Sequence, residues 1–221
     1  WTGLPATTAV RPPDVAEPFS VMQGLVLREN YEEWPVGHVP VQANFVDRAK
    51  GALVEVTERQ AADGARCLRF VDVPGLAQSY HPNRTWRNLR VATGSVRIVF
   101  DFLNDAKQPG TCWFELRDWS KKPYQAGPSM TFRPEGKLGL GADRELPYAL
   151  GQWYHIEMAL ELGEGVPRQY TLRFGPKGEV GQELRLPWVS KEFEILTWIG
   201  FVALDKDRHS QFYIDNLVID A

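Results

Sequence analysis

The chain has 221 residues and a net charge of only −3, which excludes the strongly basic footprint of a nucleic-acid binder. Its 43% apolar and 24% charged residues exclude a disordered chain, and no uninterrupted apolar stretch reaches the ~20 residues of a membrane span. Nineteen glycines and sixteen prolines punctuate the backbone too often for long helices, so the length points to one large β-domain.

Residues 1–18 contain four prolines and no periodic pattern, and read as a linker or N-terminal arm ahead of a single β-sandwich at 19–221. No basic stretch followed by an apolar one marks a signal peptide. A start at Trp1 in place of methionine makes a processed or excised module the expectation, with other domains of the same polypeptide upstream.

Beyond the arm, apolar residues recur with a period of two. In GSVRIVFDFLND, Val96, Ile98, Phe100 and Phe102 share one face and Arg97, Val99, Asp101 and Leu103 the other, as in a strand with one buried face. TCWFELRDW sets Cys112, Phe114 and Leu116 against Trp113, Glu115 and Arg117. SMTFRPEGKLGLG reads as strand, turn at Pro134-Glu135-Gly136, and strand. GQWYHIEMALEL alternates Tyr154, Ile156, Met158 and Leu160 with Trp153, His155, Glu157 and Glu161, and strands on either side favour a strand over a helix. RQYTLRFGPKGEV, TWIGFVALD and SQFYIDNLVID complete the series. The fold class expected is all-β, an antiparallel two-sheet sandwich. Phe100, Phe102, Phe114, Tyr154 and Phe212 fall on aliphatic faces and are expected in its core, as is Trp198. Cys67 and Cys112 lie in strand-like runs, where a bridge contributing roughly 4 kcal/mol and two buried thiols are both open readings. Neither CxxC nor a Cys/His cluster suggests zinc. Asn83-Arg84-Thr85 matches a glycosylation sequon.

Three stretches carry a family resemblance. LRENYEEWPVGHVP resembles the opening strand, LPYALGQWYHIEMALEL the turn-Gly-x-Trp-Tyr-x-Ile strand, and SQFYIDNLVID the closing strand of concanavalin A-like and laminin-G-like jelly rolls found in bacterial polysaccharide-active proteins. The resemblance implies a closing strand that returns beside the first, a secreted or cell-surface location, and one of three roles: glycan binding, glycan cleavage, or adhesion.

Each role asks for different residues. Retaining hydrolysis needs two carboxyl groups about 5–5.5 Å apart. The E-x-D-x-E strand of hydrolases with this fold is absent, which leaves Glu115 and Glu157 as candidates if their strands pair. A lyase needs a group that neutralises a uronate carboxylate and a base of matched pKa. Gln78, Tyr80, His81, Asn83 and Arg84 supply such types in one run, and Arg117 and His155 lie on a plausible cleft face, although the R-x-E-x-R and Gln-x-His motifs of jelly-roll alginate lyases are absent. A structural calcium, held in related binding families between first and last strands, would draw on Glu29, Asn30, Glu32 and Asp215. Aromatic platforms for sugar C–H faces are offered by Trp86, Trp113, Trp119, Tyr124 and Trp153. The reading favoured is a non-catalytic polysaccharide-binding module with Trp113, Glu115, Arg117, Trp153, His155 and Glu157 on one cleft face, and Trp119 and Tyr124 in a neighbouring loop. A lyase or hydrolase using Glu115, Glu157, His155, His81 and Arg84 is the alternative, and an interdomain packing or adhesion module without a glycan is the third.

Overall fold

Period-two alternation becomes fourteen strands and no helix in the computed structural model, which describes residues 25–41, 46–141 and 144–221. The arm expected at 1–18 lies outside the described residues. In chain order the strands are β1 (Val26–Glu29), β2 (Leu53–Thr57), β3 (Cys67–Asp72), β4 (Asn83–Val91), β5 (Gly94–Asn104), β6 (Cys112–Asp118) and β7 (Gln125–Arg133). There follow β8 (Lys137–Gly139), β9 (Glu145–Pro147), β10 (Tyr154–Leu162), β11 (Gln169–Pro176), β12 (Gln182–Pro187), β13 (Leu196–Ala203) and β14 (Ser210–Asp220). An eight-stranded sheet runs β12-β11-β10-β5-β14-β3-β2 with β1 also on β14, and a six-stranded sheet runs β4-β13-β6-β7-β8-β9. The pairings are antiparallel, as the sequence pattern requires, and Leu27 lies opposite Ile219, so the closing strand does return beside the first.

Between the sheets sits a seam of phenylalanines. Phe100 of β5 lies 5.2 Å from Phe114 of β6 and 4.9 Å from Phe201 of β13, ring centre to ring centre, and Phe102 stacks on Phe132 of β7 at 3.8 Å. Phe212 of β14 stacks on Phe70 of β3 at 4.6 Å. All are buried, and the core holds each of the five aromatic residues expected there. Trp198 differs. Both phases of TWIGFVA are apolar, and Ile199 and Phe201 take the inward positions, so Trp198 is buried on the opposite, outward side of β13.

The cysteines are free, and the strand phases explain why. Cys112 points into the main core, whereas Cys67 lies on the outward side of β3 with Leu103, Tyr213 and Trp153. Its thiol donates to the Gln60 carbonyl at 2.6 Å.

Arg84 corrects another expectation. Its side chain is fully buried, its Nη2 lies 2.5 Å from Glu29 Oε2, its Nη1 donates to the Tyr31 hydroxyl at 3.0 Å, and its guanidinium lies 4.8 Å over Trp86. Arg84 alternates in phase with the inward Trp86 and is tied to β1 of the other sheet, so it joins the two layers internally and faces no substrate. Asn83 is buried too, donating its amide to Tyr80 O at 2.8 Å, so the sequon's acceptor is covered. His81 packs edge-on against Tyr80, and partial burial lowers its pKa.

Phe114→Ala removes the ring where Phe100 and Phe201 converge and is expected to lower unfolding free energy by about 3–5 kcal/mol in urea titrations. Val180→Ser, at a fully exposed side chain, is expected to leave the midpoint unchanged.

Candidate functional site

Inward packing of Phe114, Leu116, Ile199 and Phe201 turns their neighbours out onto the far face of the six-stranded sheet. The registers set three rows there. Asn83, Val202, Trp113 and Thr131 form one, Thr85, Gly200, Glu115 and Ser129 the next, and Arg87, Trp198 and Arg117 the third, with a bulge before Ala126.

Arg117 is the centre of this face. Its guanidinium carbon lies 4.1 Å from the Trp198 ring centre, 4.5 Å from Tyr124 and 5.0 Å from Trp113, and its Nε donates to Glu115 Oε2 at 2.5 Å. A planar cation suits such a box, because aromatic faces attract it and its fork fixes its orientation to a carboxylate. Gly200 makes room for one wall. A Cβ there would lie 2.3 Å from the Trp198 ring, so only glycine lets that indole lie flat across β13 beside Glu115. Trp113 Nε1 donates to Ser129 Oγ at 2.8 Å, which fixes the second wall. Glu115 is 3% exposed beneath this cover. Burial raises its pKa, and Arg117 and Ser129 lower it by favouring the charged form, the net direction being up.

The loop after β6 extends the aromatic surface. Trp119 is 52% exposed and its ring lies 4.6 Å from Tyr124. Buried Asp118 holds the loop by accepting from Ser120 N at 2.9 Å and Ile195 N at 3.2 Å, while Trp119 N donates to Thr197 Oγ1 at 2.7 Å.

The residues expected on one cleft face therefore divide. β6 pairs with β13 and β7, whereas β10 pairs with β5 and β11, so Trp113, Glu115 and Arg117 look out of one sheet and His155 and Glu157 out of the other. The core lies between them, and Glu115 and Glu157 cannot act on one bond. On the second face, Glu157 pairs with Arg97 at 2.8 Å and Arg173 at 3.5 Å, which hold its carboxyl below the ordinary range. Trp153 packs on Leu103, Tyr213 and Cys67. His155 Nδ1 lies 2.7 Å from Asp101, a 1%-exposed carboxylate that also receives Lys177 at 2.5 Å and Asn216 at 2.7 Å. Asp215 beside it accepts Ala62 N at 2.9 Å and Asn216 N at 2.8 Å, and burial pushes its carboxyl up to about 6.

The side chains of the calcium set each have partners of their own. Glu29 is bound to Arg84, Glu32 accepts Ala65 N at 3.0 Å and Arg66 N at 2.9 Å, Asn30 accepts Glu32 N at 3.3 Å, and Asp215 serves the 62–63 backbone. No group of three or more His, Cys, Asp or Glu suited to a metal occurs among the described residues. Trp198, Gly200 and Ser129 complete the six-stranded face and were not expected there. The signal for the first two was the phase opposite Ile199 and Phe201.

No protein-family model matches the chain, and no curated protein matches it by sequence. Solved structures do. The endo-β-1,4-glucuronan lyase of the fungus Trichoderma reesei is similar with TM-score 0.57 at 9% identity, over 83% of this chain and 93% of that one. The catalytic domain of the glycoside hydrolase family 131 protein from Coprinopsis cinerea gives 0.54 at 10%, over 85% and 84%. The PL-14 alginate lyase from Aplysia kurodai gives 0.52 at 10%, over 75% and 86%. At such identities the likeness is one of fold, a two-sheet β-sandwich.

Since burial holds the Glu115 pKa above its unfolded value, its stabilising contribution is full below the unfolded pKa and is lost as pH rises through the folded one. Arg117→Met removes the main opposing charge. The Glu115 carboxyl carbon, identified by its loss in Glu115→Gln, is expected to titrate at higher pH in that variant by NMR, and an unchanged or lower midpoint contradicts the assignment.

Proposed function

We propose that the outer face of the six-stranded sheet binds a polysaccharide without cleaving it, as a carbohydrate-binding module of a larger secreted protein. The observation that carries this reading is the boxed Arg117. Glu115 holds the guanidinium and Ser129 the Trp113 indole, so a sugar chain meets an apolar face and hydrogen-bond donors that need little ordering on binding. Exposed Trp119 lengthens the track beyond one ring.

Cleavage by hydrolysis is disfavoured because Glu115 lacks a partner. Glu145, the other acid the registers place on this face among the described residues, stands three strands away on β9, about 14 Å at normal strand spacing, and is paired with Arg133 and Lys137. One observation favours a lyase as the second reading: Tyr124 lies 4.5 Å from Arg117, so a phenol stands near a cation that could neutralise a uronate. Against it, the charge of Arg117 is already matched by Glu115. The fold likeness to two lyases and a glycoside hydrolase domain is compatible with either reading and supports a carbohydrate ligand for both.

Affinity gels containing neutral and acidic polysaccharides are expected to retard the wild-type chain. Trp113→Ala and Arg117→Met should weaken that retardation at least about tenfold, a loss of ~1.4 kcal/mol. His155→Ala and Glu157→Gln, on the opposite sheet, should leave it unchanged. Formation of ultraviolet-absorbing unsaturated ends, or release of reducing ends, would replace the binding reading with an enzymatic one, and retardation on no glycan would leave the packing or adhesion role.

A further inference from the structure

The outer face of the six-stranded sheet carries an excess of positive charge, although the chain as a whole is negative at −3. Its strands present Arg87 and Arg90 of β4, Arg117 of β6, Arg133 of β7 and Lys137 of β8. Among the described residues these strands set only Glu115 of β6 and Glu145 of β9 against them. The flanking segments add nothing net. Lys121, Lys122 and Lys191 offset Asp118, Glu192 and Glu194, Arg144 offsets Glu135, and Lys206 and Arg208 offset Asp205 and Asp207. On the opposite sheet cations and carboxylates are matched locally: Arg28 pairs with Asp220, Arg69 with Glu55, Arg97 with Glu157, Arg173 with Glu183 and Lys177 with Asp101, which leaves Arg185 of β12 without a carboxylate partner among the described residues.

Two cations of the outer face are uncommitted. Arg117 is matched by Glu115 at 2.5 Å, and Arg133 and Lys137 share Glu145. Arg87 and Arg90 are exposed and have no carboxylate within ion-pair distance among the described residues. Arg87 Nε donates to Thr85 Oγ1 at 3.3 Å, which steadies the side chain and leaves both terminal nitrogens unused. Arg87 lies opposite Trp198 in register, and Arg117 stands one strand further, about 10 Å from Arg87 along the row. Asn88, with φ 61°, interrupts the alternation there, so Leu89 and Val91 turn into the core and Arg90 joins Arg87 outside.

We infer that the polysaccharide received by this face is anionic and that Arg87, with Arg90 beside it, takes its acidic groups; this rests on the glycan-binding reading above. A uronate carboxylate or a sulfate ester presents paired oxyanion oxygens, and the free fork of Arg87 can bind two of them at once. A neutral chain gains nothing from either charge. Because both arginines are exposed, the gain is screened by salt and is expressed as selectivity for the charged chain.

Calorimetric titrations of the full chain test this with matched polymers: polygalacturonate, alginate and hyaluronate, each against its carboxyl-reduced neutral form, and κ-carrageenan against its desulfated form, with xylan as a further neutral chain. At least one acidic polymer is expected to bind at least about tenfold more tightly than its neutral form, and to weaken as sodium chloride rises from about 50 to about 500 mM. Preference within a carboxylate pair assigns a uronate, and preference within the carrageenan pair a sulfate ester. Arg87→Gln should bring the acidic form to within about threefold of the neutral one. Arg185→Gln removes the same charge from the opposite sheet and should leave the wild-type ratio. Neutral forms or xylan binding as tightly as the acidic polymers, a ratio untouched by Arg87→Gln, or a ratio lowered equally by Arg185→Gln would overturn the inference and leave polysaccharide binding in place. Binding to none of these polymers, acidic or neutral, would overturn it together with the reading on which it rests.

Discussion

Contact of Phe100 with Phe114 and Phe201 is the interaction on which the placement of every outward side chain depends. A strand has only two faces, and a one-residue slip exchanges them. Once Phe114 and Phe201 are buried against β5, Trp113, Glu115 and Arg117 on β6 and Trp198 and Gly200 on β13 must face away from the core. The candidate face is thus a by-product of the hydrophobic seam, and its precision is inherited from a packed interior that tolerates little displacement. Because the face stands on strands, its groups are held by the ladder on both sides, and only the Trp119–Tyr124 end depends on a loop.

Two buried or half-buried ion pairs do different work in this frame. Arg84 and Glu29 lie inside, linking β4 of one sheet to β1 of the other, where removal of either partner would leave a charge without compensation. Arg117 and Glu115 lie on the outer face, where the aromatic box limits water and leaves the guanidinium side chain 12% exposed. Desolvation raises the carboxyl's pKa and outweighs the opposing effect of the neighbouring cation. Such a pair orients a donor well and offers a weak general acid or base, since the carboxylate is covered by the groups a substrate would have to displace.

The strands were legible in the sequence because each buries one face, and the alternation of Val96, Ile98, Phe100 and Phe102, or of Tyr154, Ile156, Met158 and Leu160, reports that burial directly. The meeting of first and last strands was legible through the family resemblance. Strand partnership was not. Trp113 and Trp153 have the same local pattern of charged neighbours, and nothing within either run says that β6 and β10 belong to different sheets, since pairing is decided by contacts distant in sequence. Trp198 was misplaced for a related reason: with Trp, Ile, Gly, Phe and Val in succession, period two names two faces without saying which is inside. Arg84 was illegible because a charged residue reads as surface until its partners are known, and Glu29 and Tyr31 lie more than fifty positions earlier.

The central claim is that one outer face, organised by Arg117 and its three rings, receives the glycan. Hydrogen exchange followed by mass spectrometry, with and without an oligosaccharide cut from whichever polysaccharide retards the chain, locates the footprint without perturbing any residue. The account predicts added protection in peptides covering β6, β7 and β13 and none in those covering β10 and β11. Protection confined to β10 and β11, around His155 and Glu157, would contradict it.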